Sequence, residues 1–157
     1  SVTQQARRED EAAVKEAYER MGIASEVSPF FDNMAGRIAA SHFVISRAGA
    51  STVSEIAAIG RPSLLVPYPF ALDHDQAANA AALEAGGGTI VRQQKDLSPE
   101  ILAGIIADIA GDPAKSAAMA AAAKAAGKPD AASLLADLTE AIAGAKPVKS
   151  VSKDAHP

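Results

Sequence analysis

Residues 46–79 read SRAGASTVSEIAAIGRPSLLVPYPFALDHDQAAN and decide the fold, because they contain two consecutive strand–loop–helix units. The apolar run at residues 42–45 is followed by the small residues 48–51, which predict a tight turn. From Thr52 onward, apolar residues recur at helical spacing as far as Gly60, a residue type typical of helix C-termini. The first unit is therefore predicted to run strand, turn, helix.

The second unit repeats this order. Residues 62–66 form a short apolar run that ends at Pro67, and a helix is predicted from about Asp75. Two such units in succession are typical of an open parallel sheet, in which the loops at the carboxyl ends of the strands bind ligands. Helix N-termini at that edge present free N–H groups to anions. The stretch therefore predicts a site for a nucleotide diphosphate.

The rest of the chain extends this pattern and then changes to helices alone. Strands are predicted near residues 26–28, 42–45, 62–66 and 89–91, alternating with helices. Three further helices are predicted to start at Ser98, Asp112 and Asp130 and to end near Gly111, Gly127 and Gly144. The sequence thus predicts a doubly wound α/β domain at residues 1–144, with a parallel sheet flanked by helices and a helical C-terminal end. Residues 145–157 are predicted to be a disordered tail.

The start of the chain suggests an incomplete sheet. At 157 residues the chain has the length of one domain with a buried core. It begins with the end of a strand at residues 2–3 and has no glycine-rich phosphate loop nearby. We therefore expect a fragment that lacks the first strand of its sheet.

The composition excludes several classes of protein. There is no cysteine, so neither disulfides nor thiolate metal sites exist, which fits a reducing, cytoplasmic compartment. No apolar run approaches the roughly 20 residues of a membrane span, and the first residues do not form a signal peptide. A net charge of −4 and an aromatic content of 4% argue against nucleic-acid binding.

Glu55 is the first candidate for a functional residue, and its spacing allows two interpretations. The pattern Thr52-x-x-Glu55 has the spacing of a capping box, in which Glu55 would accept a hydrogen bond from the backbone of Thr52. Alternatively, the carboxylate accepts hydrogen bonds from two neighbouring ribose hydroxyls. Beside it, the small residues Ala50 and Ser51 allow a diphosphate to approach the backbone, and Arg47 either pairs with a phosphate or is solvated.

The second loop offers a metal pattern and two amides. Asp73, His74 and Asp75 could hold a divalent ion, or Asp75 could simply cap the following helix. Gln76 and Asn79 share one face of that helix, where they either contact sugar hydroxyls or are ordinary exposed residues.

The aromatic and histidine residues give little further indication of function. Phe30 and Phe31 follow a predicted strand and either wall a nucleobase or belong to the core and its rim. His42 and His156 have no Ser, Cys or Asp partner at motif spacing. The sequence therefore indicates no catalytic triad.

These motifs resemble a known family. The stretch at residues 46–80, with its glycine turn, VSE helix, VPYP loop and QAAN helix, is similar to the peptidoglycan glycosyltransferases of family 28. So are SPFFDNMAGRIAASHFVI at residues 28–45 and the alanine-rich helices. These enzymes transfer N-acetylglucosamine from the UDP-sugar to lipid I, undecaprenyl-pyrophosphoryl-N-acetylmuramoyl-pentapeptide, and so form lipid II. The resemblance implies the C-terminal, donor-binding half of the two-domain GT-B architecture.

The resemblance also implies roles for individual residues. The UDP-N-acetylglucosamine donor would contact Phe31, Ala50, Ser51, Thr52, Glu55, Asp75, Gln76 and Asn79. Glu55 would bind the ribose diol, Phe31 would lie at the uracil, and Gln76 and Asn79 would contact the sugar. Asp75 stands where the family usually has Gln or His, and its carboxylate could still accept from a sugar hydroxyl. No metal or other cofactor is implied.

The remaining expectations concern the whole enzyme. The catalytic base, the lipid I site and a peripheral contact with the cytoplasmic side of the bacterial inner membrane would belong to an amino-terminal half that is absent here. This chain alone should be inactive. Two alternatives stay open: an enzyme like UDP-N-acetylglucosamine 2-epimerase, which would place acidic and His residues on the sugar, and a nucleotide-binding module without catalysis.

Overall fold

The structure is a computed structural model that describes residues 1–70 and 76–144 in full and the backbone of Asp75. Its elements in chain order are β1 (Val2–Gln5), α1 (Glu11–Arg20), β2 (Ser25–Ser28), α2 (Met34–Ala40), β3 (Val44–Ser46), α3 (Ala50–Ile59), β4 (Ser63–Leu65), α4 (Asp75–Ala85), β5 (Thr89–Val91), a 3-10 turn (Gln94–Asp96), α5 (Pro99–Gly111), α6 (Pro113–Ala126) and α7 (Ala131–Ala143). The chain divides into two compact units, Ser1–Ala40 and Ser41–Pro157.

The first unit is a parallel β–α–β arrangement followed by a short helix. β1 and β2 pair in parallel with Val2 opposite Ser25, and α1 connects them. Two ion pairs at the favourable i,i+4 spacing lie on the exposed side of α1. α2 begins after Asn33, whose Oδ1 accepts a hydrogen bond of 3.0 Å from the Gly36 N–H. The Asn33 side chain therefore caps this helix.

The second unit is built on a three-stranded parallel sheet in the order β3-β4-β5. Val44 lies opposite Ser63, and Ser63 lies opposite Thr89. The central strand β4 is wholly buried, because both of its faces are covered, as parallel sheets require. Its one hydroxyl is satisfied by a 2.7 Å hydrogen bond between Ser63 Oγ and Thr89 Oγ1. The predicted parallel α/β fold with flanking helices is confirmed.

The three helices after β5 start where the sequence predicts. α5 and α6 each have proline in the first turn and a side-chain cap. Ser98 Oγ accepts from the Ile101 N–H at 3.3 Å, and Asp112 Oδ1 accepts from the Lys115 N–H at 2.9 Å. α7 follows Asp130, as expected, but that side chain accepts no capping hydrogen bond.

The strand boundaries differ slightly from those predicted. β3 and β4 are shorter than the apolar runs at residues 42–45 and 62–66, because their paired register covers only three residues of each strand. β1 is longer, since it extends to Gln5. Across the described ranges 1–70 and 75–144, no helix combines the length and hydropathy of a membrane span. The predicted disordered tail at residues 145–157 lies outside the described residues.

Candidate functional site

The N-terminus of α3 lies at the carboxyl end of β3 and is not capped. Its N-cap residue is Gly49, in an extended conformation with φ −64° and ψ 145°, and no side chain caps the helix. The first hydrogen bond of the helix runs from the Val53 N–H to the Gly49 carbonyl, at 3.0 Å. Three backbone N–H groups precede it and find no acceptor among the described residues, those of Ala50, Ser51 and Thr52.

The space in front of this helix end is open. A Cβ atom built on Gly49 would meet no heavy atom of the described chain within 4 Å. The preceding residue, Ala48, is fully buried and fixes the turn against the sheet. Unsatisfied N–H groups and the positive end of the helix dipole together favour an anion at this position.

Glu55 lies in the second turn of α3. Because Gly49 and not Thr52 is the N-cap residue, the capping-box interpretation is wrong. The Glu55 side chain is exposed, and no hydrogen bond or ion pair engages it in the part of the chain that the structure describes. The carboxylate is therefore available to accept hydrogen bonds from a ligand, and its predicted contact with a ribose stays a prediction.

Gln76 and Asn79 connect α4 to the two neighbouring loops. Gln76 Oε1 accepts a hydrogen bond of 2.9 Å from the Tyr68 N–H, in the loop between β4 and α4. Asn79 Nδ2 lies 3.4 Å from the carbonyl oxygen of Ala48, just before α3, and donates to it. Both side chains are half-buried. The structure thus brings Asn79 beside the turn before α3 and Gln76 against the loop after β4, and their predicted sugar contacts remain to be tested.

Arg47 joins the loops that follow β3, β4 and β5. Its Nη1 lies 3.4 Å from the carbonyl oxygens of both Val66 and Pro67, and its Nη2 donates a 2.7 Å hydrogen bond to Gln94 Oε1. The guanidinium also lies 5.5 Å from the centre of the Tyr68 ring. The sequence suggested a phosphate contact or solvation for this residue, but the structure shows a connection between loops.

Phe31 belongs to the first unit, where it is buried. The Arg37 guanidinium covers one face of its ring at 4.1 Å from the centroid, and Glu26 accepts two hydrogen bonds from Arg37, of 2.6 and 2.9 Å. These hydrogen bonds lower the pKa of the Glu26 carboxyl. The neighbouring Phe30 is 69% exposed. The predicted contact of Phe31 with a uracil is not tested by this arrangement.

The metal pattern cannot be placed. Asp73 and His74 lie outside the described residues, as does the side chain of Asp75, the first residue of α4. Within the described part of the chain, no three His, Cys, Asp or Glu residues are grouped to hold a metal ion. His42 is exposed, and His156 lies outside the described ranges.

A parallel sheet whose carboxyl edge carries an open helix N-terminus and a free carboxylate is typical of Rossmann-like nucleotide-binding domains. A family model, the glycosyltransferase family 28 C-terminal domain, matches residues 1–135, and the chain belongs to this family. This confirms the resemblance found in the sequence.

Individual relatives agree with the family assignment. The chain is 65% identical over 152 residues to the "UDP-N-acetylglucosamine--N-acetylmuramyl-(pentapeptide) pyrophosphoryl-undecaprenol N-acetylglucosamine transferase" of Mesorhizobium japonicum, covering 97% of this chain and 40% of the relative. It is 59% identical over 156 residues to the protein of that name from Brucella anthropi, covering 99% and 42%. A crystal structure of Acinetobacter baumannii MurG matches with a TM-score of 0.78 and 30% identity, covering 87% of this chain and 40% of that one. The chain thus spans about 40% of the length of these relatives.

Proposed function

We propose that this chain is the donor-binding part of a transferase that moves N-acetylglucosamine from UDP-N-acetylglucosamine to lipid I, forming lipid II. The names of the relatives support the reaction and both substrates. The observation that carries the proposal is the uncapped N-terminus of α3 with open space at Gly49, at the carboxyl edge of a parallel sheet. A diphosphate placed there would accept the three free N–H groups and lie within reach of the helix dipole.

In this proposal the residues at the carboxyl edge of the sheet have separate roles in binding the donor. The α3 N-terminus stabilises the negative charge that develops on the leaving UDP, and Glu55 accepts from the two ribose hydroxyls. Gln76 and Asn79 hold the surrounding loops and offer their remaining amide atoms to the sugar, with Asp75 beside them. For Phe31, which belongs to the first unit, the proposal keeps the uracil contact that the family resemblance implies. Fixing the donor in this way orients its anomeric carbon for displacement by the acceptor hydroxyl.

The whole enzyme supplies what this chain does not. We place one donor-binding domain at residues 1–144, which the family match over residues 1–135 supports. The catalytic base and the main acceptor site would come from the part of the relatives that this chain does not span, so the chain alone binds donor without turnover. Because the acceptor carries an undecaprenol lipid, the enzyme would act as a peripheral protein on the cytoplasmic side of the inner membrane.

Calorimetric titration of this chain with UDP and UDP-N-acetylglucosamine tests the donor role. Glu55→Ala should weaken binding of both ligands by about 1–3 kcal/mol, because a charge-assisted hydrogen bond to the ribose is lost. The matched control is Glu140→Ala, which removes an exposed carboxylate from α7 and should leave both affinities unchanged.

Two results would count against the proposal. One is equal donor affinity in the wild-type and Glu55→Ala chains, which would show that the Glu55 carboxylate does not bind the ribose. The other is a chain that is folded by circular dichroism and binds neither ligand, followed by the same result for the complete enzyme.

A further inference from the structure

A groove lies between the loops that follow β4 and β5. It has a volume of about 270 Å³ and is lined by Pro69, Phe70, Gln93, Gln94 and Lys95. Both loops emerge from the carboxyl edge of the same three-stranded sheet as α3. The groove therefore opens at the edge where the proposed donor site lies, and the five described residues that line it are not among the proposed donor contacts.

One wall of the groove is an exposed aromatic ring. Phe70 is 80% exposed, a high value for a large apolar side chain. Its ring packs edge-on against Tyr68, with the centroids 5.7 Å apart and the planes at 72°. Tyr68 is in turn held by Gln76 through its backbone N–H. An exposed aromatic ring suits the apolar face of a sugar ring.

The opposite wall carries polar groups with unused hydrogen-bonding capacity. Within the described residues, the side chains of Gln93 and Lys95 make no hydrogen bond or ion pair. The side-chain carbonyl oxygen of Gln94 accepts a hydrogen bond of 2.7 Å from Arg47. This hydrogen bond orients the Gln94 amide and leaves its NH₂ group available to donate. Two amides and one ammonium group suit a ligand with hydroxyl or acetamido groups and a negative charge.

From these features we propose that the groove is a subsite for the acceptor, binding a sugar that carries an anionic group such as a phosphate. The inference rests on the proposed function, which requires an acceptor sugar beside the donor. Phe70 packs against the sugar face, Gln93 and Gln94 hydrogen-bond to its polar substituents, and Lys95 pairs with the anion. The donor is bound elsewhere, at α3, so the two substrates occupy neighbouring loops of one edge.

Steady-state kinetics of the complete enzyme test this subsite, with UDP release measured while each substrate is varied. Lys95→Ala and Gln93→Ala should each raise the KM for the acceptor about tenfold, the loss expected for one hydrogen bond to a charged group. The KM for UDP-N-acetylglucosamine should stay within about twofold of wild type, which also shows that the variants are folded. Lys95→Arg should keep most of the acceptor affinity, and the control Lys128→Ala should change neither KM.

Each contrary outcome has a distinct meaning. An unchanged KM for the acceptor in both alanine variants overturns the subsite while the proposed function stands. If the KM for the donor rises instead, the groove binds the donor, and the proposed acceptor subsite is overturned. A wild-type enzyme without acceptor-dependent UDP release overturns the proposed function itself, and the subsite with it.

Discussion

At the level of single residues, Arg47 connects the loops that follow β3, β4 and β5. It reaches the carbonyl oxygens of Val66 and Pro67 after β4 and the side chain of Gln94 after β5. A planar guanidinium suits this task because its N–H donors point in several fixed directions. We infer that Arg47 sets the spacing of the three loops around the open end of α3.

Arg47→Lys should therefore lower the free energy of unfolding by about 1 kcal/mol, because an ammonium group cannot reach all three acceptors at once. Urea denaturation of the chain followed by circular dichroism measures this change. The affinity for UDP should fall in parallel, since the loops around the donor site lose their common anchor.

Arg92→Lys is the matched control for this substitution. Arg92 follows β5 at the same edge, but within the described ranges its guanidinium donates only to the carbonyl of the adjacent Val91. Its replacement should leave stability and UDP affinity within error of wild type. If the two lysine variants behave alike, Arg47 has no special connecting role.

The sequence pointed to the turn before α3 and to the first turn of α4, but it did not predict how the side chains there are bonded. Thr52 and Ser51 are good N-cap residue types, so local pattern favoured a helix start there, whereas the helix begins one residue after Gly49. The contact between Arg47 and Gln94 joins residues 47 positions apart. Such a contact depends on the register of three strands, which no local pattern reports.

At the level of elements, the N-terminus of α3 lacks the stabilising side-chain cap that α5 and α6 have, which in the proposed function leaves it open to an anion. Glycine at the N-cap provides no side-chain acceptor, so three backbone donors have no partner among the residues that the structure describes. The backbone angles at Gly49, φ −64° and ψ 145°, lie in the extended region that other N-cap residues also adopt. Backbone sterics therefore do not require glycine at position 49. In the proposed function, binding of an anion to the free N–H groups explains why the N-cap residue has no side chain.

Gly49→Ser should change stability and binding in opposite directions. The serine hydroxyl can accept from the free N–H groups and should raise the free energy of unfolding by a few tenths of a kcal/mol. The same hydrogen bond competes with the diphosphate, so the affinity for UDP should fall about tenfold. Urea denaturation and calorimetric titration measure the two effects on one preparation.

Gly49→Ala separates competition from crowding in this experiment. The added methyl group enters the same open space but accepts no hydrogen bond. UDP affinity should therefore fall more in the serine variant than in the alanine variant. If the serine variant binds UDP as tightly as wild type, the diphosphate is not bound at the N-terminus of α3.

Helix starts were predictable because their signals are local. Ser98 and Asp112 precede prolines, and both cap their helices in the structure. Strand ends were less predictable, since the apolar run at residues 62–66 extends beyond the three residues of β4 that pair with β3. A buried loop residue and a buried strand residue have the same hydropathy, so only the hydrogen-bonded register separates them.

At the level of the whole molecule, the alternation of strands and helices predicted the parallel α/β class. It did not predict that the strands pair as two sheets, one in each compact unit. Pairing between strands is a long-range property, and alternation reports only their order along the chain. The proposed reaction is likewise a property of the complete enzyme, because this chain spans about 40% of its relatives' length.

The complete enzyme should therefore release UDP only when the acceptor is present, because displacement of UDP requires an attacking acceptor hydroxyl. Coupled detection of UDP, with and without lipid I, measures this dependence. The chain of residues 1–157 should bind UDP-N-acetylglucosamine and release no UDP in either mixture.

An epimerase would instead change the sugar configuration without acceptor, which proton NMR of the nucleotide sugar detects. A nucleotide-binding module would do neither. Acceptor-independent conversion of the sugar by the complete enzyme would thus replace the transferase proposal with the epimerase one, while the donor contacts at α3 would stand in both.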